Sequence, residues 1–231
     1  MDDSGEIYLN FPVTLLREAF IDIRRVMDDV MKYALYRQAE RLQGTRASRI
    51  TQAARFLIIT YSDPKGSYER GALLSFQLSA KVPHVGINTS IAFDFYNNPK
   101  TPDEIAVLLA YLALKSIIGS KPYIRLTNGF MLARMAGYSS TADMPDPLPQ
   151  PLAGYATRRK LDKIKMELQM NWNVNIYARN TRGFYASIGD RFTLDKLALE
   201  AEKNKVSSKQ KQLRDRIDAA RLMALNQLSL N

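Results

Sequence analysis

Thr101-Pro102-Asp103-Glu104-Ile105-Ala106-Val107-Leu108-Leu109-Ala110-Tyr111-Leu112-Ala113-Leu114 is the stretch from which the fold can be read. The Thr101 hydroxyl can cap a helix, and Pro102 suits the first turn, where its missing N–H would have no helical partner. Glu104 stands three residues after the cap, where a carboxylate can reach back to complete a capping box. The residues that follow are apolar almost all round, as in a buried helix. The sequence therefore predicts a central helix starting at Pro102 and ending near Gly119.

Downstream of that helix, residues 123–126 read as a short strand. Thr127-Asn128-Gly129-Phe130-Met131-Leu132-Ala133-Arg134-Met135-Ala136-Gly137 reads as a capped short helix. Four prolines between residues 144 and 151 predict an extended loop. A helix is expected over 156–171, with Leu161, Ile164 and Leu168 at i, i+3 and i+7 as its apolar stripe. Arg158, Arg159, Lys163 and Lys165 fall off that stripe and are expected to face outward, with Lys160 in the same cationic set. Cations near a helix N-terminus oppose its dipole at about 0.3–1 kcal/mol each, a cost that a bound phosphate would relieve. Residues 174–179 and 184–188 predict a hairpin whose turn, at 180–183, is flanked by Arg179 and Arg182, with Gly183 suited to positive φ. Tyr177, Phe184 and Tyr185 are expected to serve the core or cross-strand pairs before base stacking, and Trp172 to anchor the core.

The order helix, strand, helix, basic helix, hairpin over residues 101–188 resembles a winged helix-turn-helix. The resemblance implies a recognition helix at 156–171, a wing at 174–188 and double-stranded DNA as partner. Its implied nucleic-acid contacts are Arg158, Arg159, Lys160, Lys163, Lys165, Arg179 and Arg182. The roughly eighteen residues joining the second and third helices depart from the short turn usual in that family. The whole chain is also loosely similar to uncharacterised proteins of bacterial mobile elements and phages, a likeness that implies no activity.

Upstream, Leu15, Leu16, Ala19, Phe20, Ile23, Met27, Val30, Met31 and Ala34 give a helical stripe, so one long helix is expected over 12–42, then a second over 47–60. Residues 62–66 and 97–99 have turn chemistry. Between them, 73–78 and 87–96 fit short helices and short strands equally. The tail reads as two helices, one capped by Thr193 and one opening at Ser207. The second, with Leu213, Ile217, Ala220, Leu225 and Leu228, can pair with a second copy of the chain as a homodimer or fold back on the N-terminal helix; folding back is favoured at this chain length. The expected fold class is mainly α (α+β). It divides into an N-terminal mostly helical domain (1–98), a winged-helix-like domain (99–190) and a C-terminal helical tail (191–231).

Composition narrows the function. The 231 residues carry a net charge of +10 with no Cys and one His, which excludes thiol chemistry and zinc sites built on sulfur or several histidines. His84 is read as a loop or satisfied core histidine. From residue 157 to 191 there are eight cations against three acids, so the excess lies where a polyanion would be met. The acidic opening Asp2-Asp3 argues against an export signal, and the apolar run 105–118 is too short to span a bilayer and contains Lys115. A cytoplasmic, non-membrane location is expected. No P-loop, dinucleotide fingerprint, nucleophile elbow or zincin motif is present. The reading is a non-enzymatic DNA-binding protein, without cofactor, metal or catalytic residues: a regulator, or an accessory factor of replication or of a mobile element. The alternatives are an assembly protein using the same fold for protein contacts and a nuclease built from scattered carboxylates.

Overall fold

A computed structural model describes residues 6–78, 81–178, 183–190 and 192–228. The fold is mainly helical, with two small antiparallel sheets. No helix among the described residues is long and apolar enough to cross a membrane.

The N-terminal segment departs from the single helix expected over 12–42. It opens with strand β1 (Tyr8–Pro12), in which Leu9 and Phe11 are buried while Tyr8 and Asn10 are exposed. A 3₁₀ turn (Val13–Glu18) follows, and helix α1 (Ile23–Ala39) begins only after Asp22, whose Oδ1 accepts from Arg25 N at 2.9 Å. Pro12 closes a strand instead of opening a helix, because residues 8–12 have a distant partner. They pair with β2 (His84–Asn88), in register Tyr8↔Asn88 through Pro12↔His84. Between the two strands lie α2 (Arg46–Phe56) and α3 (Pro64–Gln77), and α4 (Thr89–Asn97) follows β2. Thus 73–77 is helix, and 87–96 divides between strand and helix at Asn88, whose side chain caps α4. The turn chemistry at 62–66 is a helix start, with Asp63 as cap and Pro64 in the first turn. α1 and α3 cross closely at Gly71, where a Cβ would lie 2.1 Å from the Lys32 carbonyl oxygen.

α5 (Pro102–Ile118) forms as its sequence predicts. Thr101 Oγ1 accepts from Glu104 N at 3.2 Å, and Glu104 Oε2 accepts from Thr101 N at 2.8 Å. Ten of its seventeen residues are buried, the sign of a central helix. Then come β3 (Ile124–Leu126), α6 (Asn128–Met135), a 3₁₀ turn (Leu152–Tyr155), α7 (Arg158–Asn171), β4 (Val174–Tyr177) and β5 (Phe184–Ile188). β5 lies between β3 and β4 and is antiparallel to both. Gly183, just before β5, has φ +86, with its Cα so near Leu126 that a Cβ would meet the carbonyl oxygen at 2.2 Å. One hydrophobic cluster runs from Leu9 and Phe11 through α5 to Phe184 and Ala186.

The tail is one helix, α8 (Leu194–Leu228), in place of the expected two. Ser207 and Ser208 sit inside it without breaking it, because lysine, glutamine, arginine and leucine dominate the neighbouring positions and favour helix. Leu197 and Ala201 lie against Tyr185, with Tyr123, Tyr177 and Phe192 around them, so α8 begins on the second sheet.

A candidate nucleic-acid interface on α7

The loop before α7 is tied down at its start. Arg134, on α6, is only 4% exposed, yet it spans three acceptors: Ser116 Oγ at 2.7 Å from Nη1, Tyr138 O at 3.2 Å from Nε and Ser139 O at 3.0 Å from Nη2. Burial lowers its pKa, though the guanidinium remains charged. Arg17 covers the Tyr138 ring from outside, 4.6 Å from its centroid. At the other end Leu152 and Tyr155 are buried, and Tyr155 stacks on Phe20 with ring centroids 5.6 Å apart. These anchors bring the chain to Thr157, whose Oγ1 accepts from Lys160 N at 3.4 Å and caps α7.

The buried residues of α7 are Leu161, Ile164, Lys165 and Leu168. Lys165 is therefore a correction: it faces inward. Positions 161, 164, 165 and 168 form one i, i+3, i+4, i+7 stripe, so the lysine lies within the apolar face. Its Nζ donates to Asn128 Oδ1 at 2.8 Å, lies 3.8 Å from Asp162 Oδ1 and sits 4.5 Å from the Phe184 ring centroid. Burial lowers its pKa.

The outer face divides in two. Arg158 is 95% exposed in its side chain, with Asp162 at 3.7 Å as a loose neighbour. Arg159 is exposed, and its side chain makes no hydrogen bond or ion pair among the described residues. Lys160 and Lys163 are also exposed, but both turn to Asp103 on α5, at 3.7 and 2.9 Å. Tyr155 Oη donates to the same carboxylate at 2.8 Å. The hydrogen bonds from Lys163 and Tyr155 hold the Asp103 carboxyl below the usual carboxylate range, while burial and then this hydrogen bond push Tyr155 up to about 12. Asp103 reads in the sequence only as a first-turn acid. No local signal links it to lysines some sixty residues further on. Along the outer face Met166 and Met170 follow, 55% and 70% exposed. Beside it a cleft of about 350 Å³ has Phe95, Val107, Ile164 and Trp172 among its walls.

The expected wing tip, Arg179 and Arg182, lies outside the described residues. Phe184 and Tyr185 are buried, which removes them as stacking platforms, and Trp172 packs on Tyr111 at a centroid distance of 4.8 Å. His84 is exposed, with Nδ1 2.9 Å from Val82 O. Among the described residues no group of three His, Asp or Glu could hold a metal ion. Comparisons with family models, curated proteins and solved structures find no match to this chain.

Proposed function

We propose that the chain is a cytoplasmic, non-enzymatic DNA-binding protein of winged-helix type, acting as a regulator or as an accessory factor of replication or of a mobile element. The observation that carries this reading is the first turn of α7, which projects Arg158 and Arg159 into solvent at the helix start. Phosphate is favoured at such a place by both charge and dipole. The setting of that turn supports the reading. α7 is the third helix after α5, β3 and α6, and the hairpin behind it places β5 against β3, the arrangement in which a winged helix presents its recognition helix and wing.

The test is a titration of random duplex DNA across a salt series. Affinity should fall linearly on a log–log plot, with a slope near 0.9 per phosphate contact. Arg158→Ala/Arg159→Ala should weaken binding across sequences and flatten that slope by about 1.8. Equal affinity of this variant and wild type at low salt would refute the assignment. The exposed Met166 and Met170 favour a second reading, an assembly protein that uses the same face for a protein partner. DNA binding lost on Arg158→Ala/Arg159→Ala but kept on Met166→Gln/Met170→Gln decides for the first.

A further inference from the structure

Three donors meet on one carboxylate at the base of α7. Asp103 accepts from Tyr155 Oη and Lys163 Nζ, with Lys160 Nζ just beyond hydrogen-bond reach. Within this contact one carboxylate faces two ammonium groups, and Asp94, Lys100, Glu104 and Glu167 line the same cleft. Asp103 does not need both lysines, because it lies in the first turn of α5, where the helix dipole already favours an anion. The donors also differ in freedom. The Tyr155 ring is buried and stacked, which fixes its hydroxyl, whereas both lysines are exposed on flexible stems.

We propose that this cluster is a second phosphate seat, filled by the Asp103 carboxylate in the free protein and taken over by a backbone phosphate when nucleic acid docks. The proposal rests on the DNA-binding reading and deepens it, since α7 then carries two kinds of cation. Arg158 and Arg159 meet phosphate without giving up a strong internal partner. Lys160 and Lys163 must first leave Asp103, and the phosphate that takes them offers the same charge sign and the same acceptor atoms. The released carboxylate keeps the Tyr155 hydroxyl and the start of α5, so it is not stranded. Asp103 is thus an intramolecular competitor that holds affinity below what the cations alone would give.

Duplex DNA binding by the full chain, followed by fluorescence anisotropy across a salt series, tests the seat. Asp103→Asn should bind about fivefold more tightly at low salt with its log–log slope little changed, because the same phosphates are met in both complexes. Lys160→Gln/Lys163→Gln should cost little affinity in the wild-type background and much more in the Asp103→Asn background, a non-additivity that reads the competition directly. Asp103→Ser carries the same expectation, and both variants are compared at helical content equal to wild type. Unchanged or weaker binding by folded Asp103 variants overturns the seat. So does a Lys160→Gln/Lys163→Gln loss in the wild-type background as large as that of Arg158→Ala/Arg159→Ala. In both cases the DNA-binding reading stands as long as the arginine variant still loses affinity. Binding by wild type that ignores Arg158 and Arg159, or no binding at low salt, overturns that reading and the seat with it.

Discussion

Arg134 on α6 and the arginine pair on α7 are the same kind of side chain put to opposite uses. Arg134 is buried without a carboxylate and spends its donors on Ser116 and two loop carbonyls. Arg158 stands in solvent with Asp162 as a distant neighbour. A buried guanidinium costs desolvation, so it persists where its hydrogen bonds are made and where it organises backbone that would otherwise lack donors. An exposed one adds little to stability and keeps its charge for a partner. A basic composition therefore does not map directly onto a binding surface. Each cation has to be sorted by what it already holds.

The sharpest way to break that contrast is Arg134→Ala. It should cost about 3 kcal/mol, because it opens a cavity and strands buried acceptors at the start of the loop. Chemical denaturation measures the loss, and a cost below about 1 kcal/mol would mean the loop holds without it. Arg134→Lys should recover only part of the loss, since one ammonium cannot reach the three acceptors spread around the edge of the guanidinium.

Lys165 tests the intermediate case. Lys165→Met keeps the stem and removes the buried charge, so stability should change by no more than about 1 kcal/mol and the salt slope of DNA binding should not change. The pH dependence carries the sign. The folded pKa of Lys165 lies below its ordinary 10.5, so the unfolded chain binds the proton more strongly. Its contribution is fully present above pH 10.5 and lost as pH falls through the folded value. Wild type should therefore lose stability relative to Lys165→Met as pH is lowered across that interval. Parallel curves would place the ammonium in water.

The smallest effect belongs to Arg158→Ala/Arg159→Ala, which should shift stability by less than about 0.5 kcal/mol while changing DNA affinity most. A large destabilisation with unchanged binding would reverse the assignment of the two regions.

Much of the second half was legible because its signals are local. The Thr101–Glu104 capping box, the Thr127 cap and the two strands of the hairpin each rest on signals within a few residues, and each forms where the sequence places it. The first half was less so. The stripe over 23–34 marks α1 correctly, but residues 8–12 reveal themselves as a strand only when β2 is beside them. The candidate site was legible in part. Sequence places the cations on α7, and the 161, 164, 165, 168 spacing already held the inward turn of Lys165. The engagement of Lys160 and Lys163 had no signature.

What the sequence by itself determined is the set of helices and turns whose caps and apolar periods lie within one or two turns of chain, together with the concentration of charge near α7. What only the tertiary structure decided is which surfaces meet: β1 with β2, the start of α8 with the second sheet, and Asp103 with two lysines of α7. The reason is physical. A cap or an amphipathic stripe gains its energy from neighbours along the chain, whereas a strand ladder or an ion pair gains it only from a partner that folding brings near.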